Sequence, residues 1–349
     1  MKKFLFVLLG LVLILGACSP SGDPETLRVY NWGVYIDESV ISEFEDRYNV
    51  RVIYENYESN EMMYTQLQSG EVYDVVIPSD YMIERMIAEG LLQQLDKSLL
   101  TNYSGIMEHL KGLPHDPTDS YSVPYFWGNV GLVYNTTKVD QLDLISQGWN
   151  VLQNTKYAGR IFIYDSERDM FMVALKALGY SANTADEDEL QAAYQWLVQV
   201  NTTMNPVYVT DEVIDQMING TKDIAEMYSG DAVYVEMENE DMAYYVPNQG
   251  TNIWLDAMVI PANARNVELA HKWIDFMLEY DVALANTYEV AYTTPLQAVF
   301  DEVTEDEDGF ADYLDSYVPR LDYELDETFR HNPATKAIIS DLWIRVKAQ

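Results

Sequence analysis

Cysteine and histidine are scarce in this chain of 349 residues, and their scarcity limits its chemistry. Because Cys18 is the one cysteine, no intramolecular disulfide can form and a cysteine-based metal site is excluded. The four histidines are scattered at His109, His115, His271 and His331, with no H-E-x-x-H spacing. The sequence therefore argues against a zinc hydrolase, and we expect no metal and no cofactor.

Basic residues are also few. The chain has 21 Lys and Arg against 57 Asp and Glu, which gives a formal net charge of −36. Such a charge repels nucleic acid, so we expect no nucleic-acid partner, and it raises the encounter rate with a positively charged ligand. Solubility outside the cell would explain the same charge. Charge alone leaves both interpretations open.

The motifs of nucleophilic and phosphate chemistry are absent. There is no G-x-S-x-G, no G-x-x-x-x-G-K-[ST] and no G-x-G-x-x-G. Carboxylates are abundant, and their spacing along the chain does not measure their separation in space, so a glycosidase with two acids stays open. The absences favour a protein that binds without catalysing a reaction.

The long hydrophobic run is confined to the N-terminus. Residues 4–15 form an apolar stretch after Lys2 and Lys3, and it is shorter than the roughly 20 residues of a membrane-spanning helix. This is the pattern of an export signal. Leu15-Gly16-Ala17-Cys18 resembles the lipobox of bacterial lipoproteins, which implies a signal peptide over 1–17, a diacylglyceryl group on Cys18 and a flexible segment over 18–25. We expect anchoring at the outer face of the bacterial cytoplasmic membrane; the alternative is an ordinary secreted protein with a chance cysteine.

Strands and helices alternate along the rest of the chain. Asp37, Ser59 or Asn60, Ser79 and Ser166 are candidate N-caps, each placed ahead of a helical pattern of apolar residues. We predict an α/β protein with strands at 27–32, 50–57, 73–78, 159–164, 224–229 and 254–261, a helix that begins after Asp37 and carries Val40, Ile41 and Phe44, and helices near 60–70, 79–90, 166–178, 190–200 and 267–278. The acidic stretch 301–315 lacks the spacing of a calcium loop and reads as a solvated face.

Several segments, in chain order, resemble one family. They are VYNWGVY (29–35), VIYENYESNEMMYTQL (52–67), YDVVIPSDY (73–81), LDKSLLTNYS (95–104), YSVPYFWG (121–128), LKALGYSANT (175–184), IWLDAMVIPANARN (253–266) and AYTTP (291–295). The family is that of the spermidine/putrescine-binding proteins of polyamine ABC importers. The resemblance implies a two-lobed periplasmic-binding-protein fold (type II), with an open, mostly parallel sheet and flanking helices in each lobe and a ligand cleft between the lobes. Lobe 1 would comprise 26–128 and 255–297, and lobe 2 would comprise 129–254 and 298–349.

The resemblance also implies a function. A protein of this family captures putrescine or spermidine and delivers it to an ABC permease, so we expect a polyamine ligand, a permease partner, a monomer and no enzymatic activity. Carboxylates must meet the ammonium charges and aromatic rings must cover the methylene groups. The alternatives are a binding protein for another cationic or metal-bearing solute, or an extracellular acidic hydrolase.

The family's ligand contacts match this sequence at ten positions. Asp256 matches an acid that grips an ammonium group, and its alternative is a local salt bridge. Asp169 and Ser79 match polar positions of the cleft, with helix capping as their alternative, and Ser166 stands at a further such position where relatives often carry Asp. The aromatic positions, whose alternative is the hydrophobic core, are Trp32, Tyr35, Tyr81, Tyr228, Trp254 and Tyr292.

The sequence departs from the family's pattern at two acidic positions and at one aromatic position. Val34 and Ser166 stand where relatives often carry acids, and Tyr228 stands where they often carry Trp. Glu167 or Glu226 is a candidate for replacing a lost carboxylate. These departures leave the preferred polyamine open.

Overall fold

The computed structural model describes residues 24–349, so the predicted signal peptide and Cys18 lie outside the described residues. Within this range the chain forms nine strands: β1 Thr26–Trp32, β2 Arg51–Tyr57, β3 Val75–Val76, β4 Ser122–Asn135, β5 Ile161–Tyr164, β6 Val207–Val209, β7 Ile224–Tyr228, β8 Met242–Tyr245 and β9 Ile253–Val259. The same range contains thirteen α-helices: α1 Glu38–Tyr48, α2 Asn60–Gln68, α3 Asp80–Ala88, α4 Gln141–Gln147, α5 Glu167–Ala177, α6 Glu187–Met204, α7 Val213–Ile218, α8 Ser229–Glu238, α9 Val267–Met277, α10 Tyr280–Val290, α11 Gln297–Glu305, α12 Leu314–Tyr317 and α13 Pro333–Lys347.

The strands fall into two groups that share β4. The first group has the order β2-β1-β3-β9-β4, and the second has the order β4-β7-β5-β6, with β8 also paired to β4. β1 and β5 pair in parallel with their neighbours, whereas β4 and β9 pair antiparallel with all of theirs. This is the two-lobed α/β fold that the sequence predicts, with long antiparallel strands between the parallel ones.

Strand β4 passes from one lobe to the other. Residues 122–129 pair with β9, and residues 130–135 pair with β7 and β8. Pro124 lies at a register shift, where its missing N–H is tolerated. Gly128 and Gly131 have no side chains because the rings of Trp254 and Tyr244 occupy the space where a Cβ would stand. The strand therefore joins the lobes and seats Trp254 against its own backbone.

Several helices begin where the sequence predicts. Asp37, Ser59 and Ser166 each accept a hydrogen bond from a backbone N–H of the first turn, at 2.8, 3.2 and 3.4 Å. Ser79 also occupies the N-cap position, but it makes no capping hydrogen bond. Its hydroxyl instead accepts a hydrogen bond from the side chain of Asn60 at 3.0 Å. The start of α3 is thus tied to α2.

Two predicted elements differ in length. The strand predicted at 73–78 contains only two ladder residues, although Asp74 and Ile77 on either side still donate backbone hydrogen bonds to β1. The helix predicted at 190–200 extends to both sides as α6, because Asp186 caps it earlier than the apolar pattern begins. None of the helices within residues 24–349 combines the length and the apolar character needed to cross a bilayer.

Candidate ligand-binding site

Strand β9 presents an aromatic ring and a carboxylate on one face. Residues two apart in a strand point to the same side, so Trp254 and Asp256 are neighbours, only 7% and 6% exposed. Asp256 pairs with Phe126 of β4, and an isolated bridge pairs it with Ser79 at the start of α3. The carboxylate is therefore enclosed by two strands and the N-terminus of a helix.

The carboxylate of Asp256 has no cationic partner. Its Oδ2 accepts a hydrogen bond from the hydroxyl of Tyr35 at 2.9 Å, whereas its Oδ1 has no hydrogen-bond partner among residues 24–349. The local salt bridge considered for this residue is not formed within that range. Burial raises the pKa of Asp256 to about 6; the nearby hydroxyl of Ser79, which does not reach hydrogen-bond geometry with this carboxylate, and the hydrogen bond from Tyr35 oppose the rise.

Four of the predicted aromatic residues lie together beside this carboxylate. Tyr292 contacts Tyr35 and Trp254 edge-to-face, with ring centroids 5.5 and 5.1 Å apart, and Trp254 contacts Tyr228 at 6.1 Å. Edge-to-face contacts hold rings in fixed orientations. We call these four side chains, Tyr35, Tyr228, Trp254 and Tyr292, the aromatic box.

A second group of acids lies at the far end of the box. The hydroxyl of Tyr228 donates a hydrogen bond to Oδ2 of Asp169 at 2.8 Å, and Asp169 is buried at the start of α5. Ser166 caps that helix, accepting a hydrogen bond from the backbone N–H of Asp169. The cap and the carboxylate of Asp169 therefore do not compete, because the cap uses the backbone and the contact to Tyr228 uses the side chain. Burial is the main cause that raises the pKa of Asp169.

Sequence reasoning missed Asp231, and it could not place Glu226. Asp231, in the first turn of α8, accepts a hydrogen bond from the hydroxyl of Tyr292 at 2.8 Å, and burial raises its pKa to about 7. Gly230 beside it leaves the space that the ring of Tyr292 fills. Glu226 is buried on β7, two residues before Tyr228. An acid in an otherwise apolar strand and an acid directly after it, in I-A-E-M-Y-S-G-D, were the available signals.

Trp32 and Tyr81 are not in ring contact with the aromatic box. Trp32 packs against Tyr57 with centroids 4.6 Å apart, and its Nε1 is buried with no hydrogen-bond partner among residues 24–349. The face of Tyr81 is covered by the guanidinium of Arg168, 4.0 Å from the ring centroid. The hydroxyl of Tyr81 accepts a hydrogen bond from the same Asn60 that binds Ser79. The side chains of Trp32 and Tyr81 therefore lie at the edge of the aromatic box, outside its ring contacts.

The structure shows the surroundings of Val34 and of the candidate acids that could replace a lost carboxylate. Val34 is 86% exposed in a turn with φ of +46°, so this side chain points to solvent. Glu167 is bound by Lys336 at 3.1 Å and by the hydroxyl of Ser340 at 2.8 Å. Glu167 is therefore already paired in a salt bridge. Of the two candidates for replacing a lost acid, Glu226 is the one that remains.

Charged contacts join the segment before α13, α13 itself and α5 to the helices of the first lobe. Arg330 binds Glu84 of α3 at 2.6 Å, and Lys336 lies 3.6 Å from Glu61 of α2 as well as beside Glu167. The stacking of Arg168 on Tyr81 is a third such contact. The lobes therefore touch along one rim of the cleft in this structure.

Comparison with known proteins places this chain in a family. Residues 39–312 match the model of the bacterial extracellular solute-binding proteins. The chain belongs to that family. It is 35% identical over 286 residues to the spermidine/putrescine-binding periplasmic protein of Escherichia coli K12, which covers 81% of each chain. Because the family binds solutes, membership agrees with the expectation of binding without catalysis.

Solved structures agree with this assignment. The spermidine/putrescine ABC transporter substrate-binding protein PotD of Streptococcus pneumoniae is 32% identical, with a TM-score of 0.76 over 93% of this chain and 99% of that one. The Tp0655 (TpPotD) lipoprotein of Treponema pallidum is 26% identical, with a TM-score of 0.79 over 93% and 100% of the two chains.

Within residues 24–349 of this solute-binding protein, no group of three or more His, Cys, Asp or Glu side chains is arranged to hold a metal ion.

The raised pKa of Asp231 predicts a pH-dependent stability of the ligand-free protein. Its folded pKa is about 7 and its ordinary value is near 3.8, so the folded state binds more protons between these values and loses stability as pH rises through 7. Asp231→Asn should reduce the loss of unfolding free energy between pH 5.5 and 8 by about 2 kcal/mol. Urea denaturation at the two pH values measures this difference, and an identical pH dependence in variant and parent would contradict the burial of an ionisable group here.

Proposed function

We propose that this protein captures a polyamine, putrescine or spermidine, in the cleft and delivers it to the permease of an ABC importer. The observation that carries the proposal is the carboxylate of Asp256, buried against the aromatic box, whose Oδ1 has no hydrogen bond and which pairs with no cationic side chain among residues 24–349. A carboxylate kept in this environment costs free energy unless a cation joins it. An ammonium group supplies both the charge and the missing hydrogen bond.

The arrangement also suits the rest of a polyamine. Tyr35 links Asp256 to the aromatic box, and the opposite side of the box reaches Asp231 through Tyr292 and Asp169 through Tyr228. A ligand with positive groups at both ends and methylene groups between them matches acids at both ends and rings between them. The relatives named as spermidine/putrescine-binding proteins support the same ligand class.

We propose as ligand contacts the four residues of the aromatic box together with Asp169 and Asp256. Trp32, Ser79, Tyr81 and Ser166 are proposed as bordering positions, because Trp32 packs on Tyr57 outside the aromatic box and the other three contact protein groups. The proposed lobe boundaries remain 26–128 with 255–297 and 129–254 with 298–349. The change of partner strand along β4 at residues 129–130 supports the first of these limits.

Transport of this kind requires a closed, liganded form that the permease recognises and an open form that exchanges ligand. The ion pair of Arg330 with Glu84 and the stacking of Arg168 on Tyr81 join elements of the two lobes, so both contacts favour closure. The ligand and these contacts act together on one equilibrium. Nothing in this cycle requires a chemical reaction of the ligand. We also propose that the protein works as a monomer.

Amine binding is the direct test. Isothermal titration at pH 8 should detect putrescine or spermidine and should detect nothing with 1,4-butanediol, which has the same chain length as putrescine but no charge. Asp256→Asn should weaken amine binding by about tenfold or more, because it leaves a buried ammonium without its partner. Asp341→Asn, on the exposed face of α13, is the matched control and should bind like the parent. Absence of amine binding by the parent protein, or equal affinity in Asp256→Asn, would refute the proposal.

We also propose that the protein is anchored by lipid on Cys18, at the outer face of the cytoplasmic membrane. The lipobox-like sequence supports this, as does the similarity to a protein that is named a lipoprotein. Two acyl chains provide stable attachment where one chain is marginal. An anchor keeps the binding protein next to its permease.

The variant Cys18→Ala tests membrane anchoring separately from ligand binding. The variant should appear in the medium or the soluble fraction, or stay unprocessed, while its amine affinity is unchanged. Membrane fractionation with immunoblotting measures the first outcome, and titration measures the second. Normal processing and membrane retention of Cys18→Ala would contradict the lipid anchor.

A further inference from the structure

Glu226 is a buried acid that the contacts of Asp256 do not explain. It is 1% exposed on β7, and it lies two residues from Tyr228, so both side chains point to the same face of the strand. That face carries the aromatic box. Glu226 is therefore oriented towards the ligand side of the sheet rather than towards the core behind it.

The surroundings of Glu226 contain acids and phenols but no paired base. Its Oε2 accepts one hydrogen bond, from the backbone N–H of Tyr164 at 3.0 Å, and Asp169 is the neighbouring charge. The hydroxyls of Tyr164, Tyr228 and Tyr244 lie close enough for Glu226 to raise their pKa values. Within residues 24–349, no Lys or Arg forms an ion pair with Glu226.

Asp169 also forms no ion pair with a Lys or Arg among residues 24–349. Its carboxylate accepts a hydrogen bond from Tyr228, and the guanidinium of Arg168, whose charge opposes the rise of the pKa of Asp169, lies over the ring of Tyr81. Asp169 and Glu226 are both buried beside Tyr228, and two neighbouring buried carboxylates disfavour each other's ionisation unless a cation joins them. The pair therefore requires either a shared proton or a positive group from outside the chain.

A second, independent observation at the aromatic box also indicates a cation from outside the chain. Oδ1 of Asp256, in a side chain 6% exposed, has no hydrogen-bond partner among residues 24–349, and it lies beside the ring system that runs through Trp254 to Tyr228. One end of the box thus presents an unpaired carboxylate oxygen, and the other presents the pair of Asp169 and Glu226. A ligand with one charge would satisfy only one end.

We propose that Glu226 acts with Asp169 as the subsite for the second ammonium group of the ligand, and that Glu226 selects amines with two or more charges over monoamines. The inference rests on the proposed function and goes beyond it, because it names a residue that sets the charge of the accepted ligand. In the ligand-free protein the pair holds a proton, and the incoming ammonium displaces it. The proton passes to solvent, and no bond of the ligand changes.

Glu226→Gln tests the subsite with little change of shape. The amide keeps an oxygen that can accept from the N–H of Tyr164, but it cannot carry a negative charge. At pH 8 the variant should bind putrescine about tenfold more weakly or worse, while the affinity for butylamine stays within about twofold of the parent. Glu268→Gln, an exposed acid on α9 that pairs with Lys272, is the matched control and should bind putrescine within about twofold of the parent.

A second measurement does not depend on the variant's folding. Burial and the charge of Asp169 raise the pKa of Glu226 to about 8, whereas Asp256 and Asp231 have pKa values of about 6 and 7 and are mostly ionised at pH 8. Titration of the parent protein at pH 8, in buffers of different ionisation enthalpy, should show release of about half a proton per putrescine bound.

The outcomes are distinct. Equal putrescine affinity in Glu226→Gln and parent, or putrescine binding by the parent without proton release at pH 8, would overturn the role of Glu226 while leaving amine binding intact. Failure of the parent protein to bind any amine would instead refute the proposed function itself.

Discussion

The burial of carboxylates without basic partners is the constraint on which the rest of this site depends. Asp256, Asp169, Asp231 and Glu226 are held in places where an ionised group is poorly solvated, and burial raises the pKa of each of them. Globular proteins usually pair such groups internally. Here hydroxyl groups of tyrosines supply part of the hydrogen bonding, and the charge itself is left to a ligand.

The fold explains how such acids can be kept in place. β4 is a 14-residue strand that pairs with β9 along one part and with β7 and β8 along the other, and its Gly128 allows Trp254 to lie directly on the backbone. The tyrosines then fix the acids, because each of Tyr35, Tyr228 and Tyr292 donates to a different carboxylate. The rings that hold the acids are the same rings that would cover the methylene groups of a polyamine, so structure and recognition use one set of side chains.

Much of this was predictable from sequence, for physical reasons. Capping by Asp37, Ser59 and Ser166 is a local property, and the pairing of Trp254 with Asp256 on one face follows from the period of a strand. The resemblance to polyamine-binding proteins supplied most of the candidate contacts. The path of β4 was not predictable from propensity, because its Pro and Gly residues are explained only by contacts with β9 and β8.

The remaining differences depend on tertiary contacts that no local pattern reports. Arg168 occupies the face of Tyr81 because two lobes meet there, and Glu167 is consumed by Lys336, which is 169 residues away in sequence. Asp231 was not found from the sequence, and Glu226 was only a candidate there, because a local pattern does not show which side chains surround an acid in the fold. The sequence therefore identified the class of site, whereas the pairing of charges inside the site follows only from the three-dimensional structure.

A crystal structure grown with putrescine is the measurement that tests the central claim most directly. The account predicts one amine nitrogen within about 3 Å of Oδ1 of Asp256, with the methylene groups against Trp254 and Tyr292. A structure in which Oδ1 of Asp256 is bound by a Lys, Arg or backbone N–H of the protein, with both amine nitrogens elsewhere, would contradict it.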